Sequence, residues 1–191
     1  TIEQIALLSD HGLPYGRGSD LVDRIDAAPR WRTSGAKLGT FATAFVLLFV
    51  AHNFKLKGLA QLIEAVGLLN QRRRDLDWRL LIVGRDSPGP FVARADRWGV
   101  SSRIAFTGPS ERAWRFYPAA DLFVLPTFYD PCSRVVLESV CLGTPAVTTR
   151  YNGASEVLSG NEPAGAVVAD PHDAEELLAA IETYLDPDRR R

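Results

Sequence analysis

This sequence predicts a doubly wound, Rossmann-like α/β domain, and three observations predict it. Short apolar runs recur six times, helix-length segments separate them, and the runs are near-continuously apolar rather than alternating. Strands of that kind are buried on both faces, as in a parallel sheet of about six strands with helices on each side. Such a sheet binds ligands beyond the carboxyl ends of its strands. The chemistry is therefore expected just after residues 51, 84, 108, 126 and 149.

The first run, "FVLLFVA" (45–51), leads into a helix predicted over 58–73. There Leu59, Leu62, Ile63, Val66 and Leu69 fall at helical spacing and define one buried face. Next come the strand "WRLLIVG" (78–84) and a helix over 90–98, then the strand "RIAFTG" (103–108) and a helix over 111–119. The strand "DLFVLP" (121–126) precedes a helix over 133–142. After "PAVTT" (145–149) a short helix is expected over 154–158, and after "GAVVAD" (165–170) a last one over 173–185. No internal repeat or low-complexity segment is evident.

Composition narrows the function. The chain has 191 residues, enough for one domain with a full core, and 46% hydrophobic with 24% charged residues is ordinary for a globular protein. A net charge of −1 gives no reason to expect nucleic acid. Cys132 and Cys141 fit no metal or redox spacing, which makes a reduced compartment the default. His11, His52 and His172 are scattered, so no metal site is expected. The longest apolar run, 41–51, is shorter than the roughly 20 residues that a bilayer requires. Methionine is absent and the first forty residues read as turns and short helical pieces. We therefore expect the C-terminal part of a longer protein: residues 1–40 a linker, 41–186 the domain, 187–191 a tail.

Two places carry chemistry. After the first strand comes "AHNFKLKG", which holds Lys55 and Lys57, two of only three lysines against nineteen arginines. Lys57 stands beside Gly58 where a helix starts, and an ammonium next to helical N–H groups is a counter-charge for phosphate. A solvated loop lysine fits that position equally well. After the fourth strand comes "FYDPCSRVVLESV" (128–140). Ser133 is a natural N-cap, which leaves the N–H groups of Arg134 and Val135 free at the positive end of the helix dipole. Asp130 stays in the loop before that helix, and Glu138 lies about 6–7 Å along its axis at 1.5 Å per residue. Two carboxylates would flank a phosphate-binding terminus, and carboxylates suit sugar hydroxyls. Alone, the pattern reads more readily as an N-capped turn with an exposed Glu138. Against that, Glu138 sits between "VVL" and "SVCLGTP", where a purely solvated charge is out of place.

The order of these motifs resembles a known family. "FVAHNFKLKGLAQLIEA", "LLIVGRD", "RIAFTGPS", "AADLFVLPTFYDPCSRVVLESVCLGTPAVTTRYNGASEVL" and "AGAVVADP" together resemble the C-terminal domain of glycosyltransferase family 4, which has the GT-B fold. The likeness covers roughly 40–186, and its flavour is that of bacterial lipopolysaccharide-type glucosyltransferases. The resemblance implies a domain that binds a nucleotide-sugar donor, with a separate N-terminal domain for the acceptor. It implies that Glu138 holds the ribose hydroxyls, Asp130 those of the donor sugar, and the amides of Ser133, Arg134 and Val135 the phosphates. Lys57 would neutralise the leaving diphosphate, with His52 and Lys55 beside it, and the loop of Pro109 and Ser110 would line the base. The chain departs from the family pattern at Asp130, where a glutamate is usual, at Ser133 and Arg134, and at His52, where an arginine is usual.

The resemblance also implies retaining transfer of a hexose from a nucleoside-diphosphate sugar, UDP ahead of GDP, with no cofactor and no metal. The setting implied is cytoplasmic cell-envelope polysaccharide or lipopolysaccharide synthesis, any peripheral contact with the inner membrane coming through the other half. Two alternatives remain. One is a nucleotide-sugar binding module without turnover. The other is a phospho-receiver or flavin domain, which would put its functional groups on other loops.

Overall fold

The computed structural model describes residues 44–159 and 164–190, so the linker expected over 1–40 lies outside the described residues. Six parallel strands form one sheet: β1 (Phe45–Val50), β2 (Trp78–Val83), β3 (Ile104–Gly108), β4 (Leu122–Leu125), β5 (Ala146–Thr149) and β6 (Gly165–Val168), in the order β3-β2-β1-β4-β5-β6. Each occupies a predicted apolar run. All six residues of β1 are buried, as the continuous run requires of a central strand covered on both faces. The registers Phe45↔Trp78, Leu47↔Leu122 and Phe123↔Ala146 align β1 with its two neighbours and β4 with β5.

Among the described residues three α-helices join these strands, α1 (Leu59–Arg72), α2 (Gly89–Arg97) and α3 (Arg134–Cys141), and a fourth, α4 (Ala174–Thr183), follows β6. The helix α1 buries the predicted stripe Leu59, Leu62, Ile63, Val66 and Leu69. It packs against α2 and α4, whereas α3 packs against β4, β5 and the 3₁₀ turn Gly153–Leu158. Right-handed crossovers in this strand order put those two groups on opposite faces of the sheet. Ion pairs tie the first layer together, Arg94 to Glu64 at 2.8 Å and Arg72 to Glu175 at 2.6 Å. Phe49, Trp78, Leu80 and Phe123 lie in the core between the layers, each wholly buried.

Two predicted helices take another form. Over 111–119 the chain makes two 3₁₀ turns, Ala113–Arg115 and Tyr117–Ala119. Pro118 is the reason: it has no N–H to donate, and its ring would meet the carbonyl of Trp114 in a continuous helix. Over 153–158 the turn is likewise 3₁₀, capped by Asn152, whose side chain accepts from Ala154 N–H.

The strand order reverses between β1 and β4. At that switch point the loops leaving the two strands diverge to opposite sides of the sheet and open a crevice.

Candidate functional site

The loop leaving β1 is built to aim Lys57 at that crevice. Asn53, at φ 59°, turns the chain, and its Oδ1 accepts from Leu56 N–H at 3.1 Å. Phe54 N–H donates to Asp86 Oδ2 at 2.6 Å, which ties this loop to the one leaving β2. Gly58 follows at φ 77°, and a Cβ there would come within 2.0 Å of the Pro126 carbonyl oxygen. Only glycine lets α1 begin so close to the end of β4, and that closeness brings Lys57 beside the β4 loop.

Across the crevice, Asp130 meets it. Lys57 Nζ lies 2.8 Å from Asp130 Oδ2, with the two side chains 19% and 15% exposed, and it also donates to the Tyr129 carbonyl at 3.3 Å. Asp130 Oδ1 accepts from Cys132 N–H at 3.3 Å. A parallel bridge to Asn152 fixes its backbone: Asp130 N–H donates to the Tyr151 carbonyl and Gly153 N–H to the Asp130 carbonyl. Gly153 is obligatory, because a Cβ would fall 1.9 Å from the Pro131 carbonyl oxygen.

The third wall is the start of α3. Ser133 holds the N-cap position in an extended conformation and is nearly buried, yet its side chain makes no capping bond. The expectation that Ser133 both caps the helix and offers its amide to a ligand is corrected here. Its N–H donates to Asn152 Oδ1 at 3.2 Å and is spent inside the protein. The amides of Arg134 and Val135 have no partner among the described residues, so this terminus presents two free N–H groups rather than three.

A cleft of about 440 Å³ results, and Lys57, Asp130, Ser133, Arg134, Val135 and Glu138 all line it. His52 and Ser110 line it as well. Lys55 does not: its side chain is exposed and lies outside the lining, so the cleft takes its ammonium from Lys57. His52 Nδ1 accepts from Arg85 Nε at 3.2 Å, which in the neutral ring leaves the proton on Nε2. A second cleft of about 450 Å³, reaching Pro109, opens beyond the ends of β2 and β3 and shares Gly84 with the first. Among the described residues no group of three or more His, Cys, Asp or Glu side chains is placed to hold a metal, and no helix is long and apolar enough to cross a membrane.

Three contributors carried no signal as single residues. Arg85 and Asn152 stand in loops after strands, where function was expected, but nothing in their identity marked them. Asn152 is fully buried and works at both ends: Oδ1 takes the Ser133 and Ala154 amides at 3.2 and 3.1 Å, and Nδ2 donates to Thr148 Oγ1 at 2.9 Å. Tyr117 lies at the opposite, amino-terminal approach to β4. Its hydroxyl donates to Glu138 Oε2 at 3.3 Å, and burial, then the Glu138 charge beside it, pushes its pKa far above the ordinary tyrosine value.

Residues 44–187 match the family model described as "Glycosyl transferases group 1". The chain is 34% identical to the D-inositol 3-phosphate glycosyltransferase of Pseudarthrobacter chlorophenolicus, over 98% of this chain and 47% of that protein. It is 32% identical to the lipopolysaccharide glucosyltransferase WaaG of Escherichia coli, over 73% of this chain and 37% of that protein. The crystal structure of WaaG, a glycosyltransferase of lipopolysaccharide biosynthesis, superposes with a TM-score of 0.77 at 25% identity, covering 95% of this chain and 45% of that one. Anabaena HepE, solved with UDP-glucose, shares the fold at a TM-score of 0.68 and 23% identity, over 78% of this chain and 41% of its own. The chain thus spans less than half the length of these relatives. By its match to the family model and to curated relatives, it belongs to the group 1 glycosyl transferases.

Proposed function

We propose that this chain is the donor-binding domain of a retaining hexosyltransferase that takes its sugar from UDP. The observation that carries the proposal is the convergence, in one cleft at the switch point, of the Lys57 ammonium, two free amides at a helix start, and the carboxylates Asp130 and Glu138. Phosphate suits the first two groups and hydroxyls suit the last two.

In this reading the diphosphate sits at the Arg134 and Val135 amides with Lys57 against it. Glu138 accepts the ribose hydroxyls and Asp130 those of the sugar. Pro109 and Ser110, between the two clefts, line the base. As the anomeric C–O bond breaks, negative charge grows on the departing diphosphate, and fixed donors there stabilise the transition state more than the bound donor. Lys57 does this best, since its ammonium lies among groups that exclude much of the solvent. His52, bonded to Arg85, adds an Nε2–H donor at the cleft edge. The electron pair of the broken bond stays with the diphosphate, and an acceptor hydroxyl adds to the same face of the sugar as its proton passes to the departing diphosphate oxygen.

Transfer needs that hydroxyl held within about 3–3.5 Å of the anomeric carbon. We assign this task to a partner domain, so the chain alone binds donor without turning it over. Calorimetric titration with UDP, UDP-glucose and GDP tests the reading. UDP, the nucleotide held by HepE, is expected to bind, and Glu138→Ala to weaken it more than Asp130→Ala does, because the ribose is common to donor and product. Equal losses in the two variants would refute the assignment of the carboxylates, and multiple turnovers by this chain alone would refute its role as a binding half.

A further inference from the structure

Glu138 reaches the cleft with one of its two carboxylate oxygens already engaged. Oε2 accepts from the Tyr117 hydroxyl at 3.3 Å, while Oε1 has no partner among the described residues. Tyr117 comes from a distant part of the chain, the 3₁₀ turn Tyr117–Ala119, and is wholly buried. It is held from several sides. Thr144 Oγ1 donates to its carbonyl at 2.6 Å, Ala120 N–H closes the turn onto the same carbonyl at 2.9 Å, and its ring meets Phe123 edge-on at 5.5 Å between centroids. A phenol so fixed cannot follow a mobile carboxylate. The carboxylate must come to it, since a buried hydroxyl without a partner has lost its water for nothing in return.

We propose that Tyr117 is the positioning residue for Glu138. It selects one rotamer of a long side chain and occupies Oε2, so that Oε1 is presented to a vicinal diol without a search. Tyr117 does not line the cleft and acts only through Glu138. Holding a binding group in its bound geometry raises affinity by removing the ordering cost from the binding step. The proposal rests on the reading of Glu138 as the ribose-binding carboxylate.

The test is the ratio of dissociation constants for UDP and 2′,3′-dideoxy-UDP, measured by calorimetry on the wild-type chain, Tyr117→Phe, Glu138→Ala and the double variant. The wild type is expected to prefer UDP about tenfold or more, in line with charge-assisted hydrogen bonds to the diol. Glu138→Ala abolishes the preference. Tyr117→Phe lowers it at least about threefold with the dideoxy affinity unchanged, and the double variant matches Glu138→Ala. A wild-type ratio retained in Tyr117→Phe, while Glu138→Ala loses it, overturns the role of Tyr117 and leaves the ribose reading intact. An equal loss for both nucleotides in Tyr117→Phe shows a merely structural residue and also overturns it. No preference in the wild type overturns the ribose reading and this proposal with it. Thr144→Val, which removes one of the two donors that hold the Tyr117 carbonyl, is a second probe should Tyr117→Phe fail to fold. It lowers the ratio in the same direction, and an unchanged ratio overturns the proposal.

Discussion

Lys57 and Asp130 satisfy each other at 2.8 Å, and any diphosphate that reaches the cleft has to compete with that bond. The competition separates the two residues experimentally. Lys57→Ala removes the ammonium and is expected to weaken UDP binding about tenfold, about 1.4 kcal/mol, just under the range for hydrogen bonds to charged groups. Asp130→Asn removes the competitor, so UDP affinity stays equal or improves up to about threefold. Calorimetry reads both, and a tenfold loss in Asp130→Asn would show that Asp130 itself faces the nucleotide. Tyr117 offers a different measurement at this scale. Burial first, and the Glu138 charge second, raise its pKa above the ordinary 10.0. The stability this contributes is whole below about pH 10, where an unfolded tyrosine starts to ionise, and it declines as pH climbs towards the folded value. While the protein stays folded, Tyr117 should therefore add nothing to the rise in absorbance at 295 nm between pH 10 and 11. Tyr117→Phe is expected to leave that amplitude unchanged.

At the scale of elements, the chain shows its strands more openly than the contacts between its loops. All six strands could be read because a central parallel strand must be apolar on both faces, and α1 because its stripe repeats at helical spacing. The 111–119 segment misleads because Trp114, Phe116 and Tyr117 suit a helical face while Pro118 forbids the helix. In the candidate site, position alone leaves Lys57 equally readable as a solvated loop lysine and favours an exposed Glu138, so only the family resemblance brings the two into one cleft. Asn152 is not legible at all, since its meaning depends on Ser133, nineteen residues back, and on Thr148 within β5. Asparagine after a strand signals a turn; only the folded chain shows it holding the start of α3. Asn152→Ala strands the Ser133 and Ala154 amides, while Thr148 Oγ1 keeps its bond to the Leu125 carbonyl, and an unpaired buried group costs about 1–3 kcal/mol. A loss of about 3 kcal/mol is expected, which for a chain of this size lowers Tm by roughly 6–12 °C. Asn152→Asp keeps the acceptor for both amides and should lose less. Differential scanning calorimetry checks both, and a thermally neutral Asn152→Ala would mean the α3 terminus is held by other contacts.

On the scale of the molecule, a doubly wound sheet separates its ends by function. Carboxyl ends of the strands carry the cleft; amino ends carry the turns that return the chain. The helix α3 runs between the two ends, and a cysteine marks each: Cys132 lines the cleft just before the helix, and Cys141 closes it at the far end. Both thiols are exposed and unpaired. They form a matched pair of probes in one molecule, needing no substitution. Alkylation by iodoacetamide, tracked peptide by peptide in a mass spectrometer, is expected to slow at Cys132 when UDP fills the cleft, up to about tenfold at tenfold excess over Kd, and to proceed unchanged at Cys141. The logic is occupancy: at that excess about nine in ten sites are filled, and a covered thiol reacts only from the empty fraction. Equal slowing at both cysteines would indicate a general tightening of the fold, and no slowing at either would place the nucleotide somewhere other than the switch point between β1 and β4.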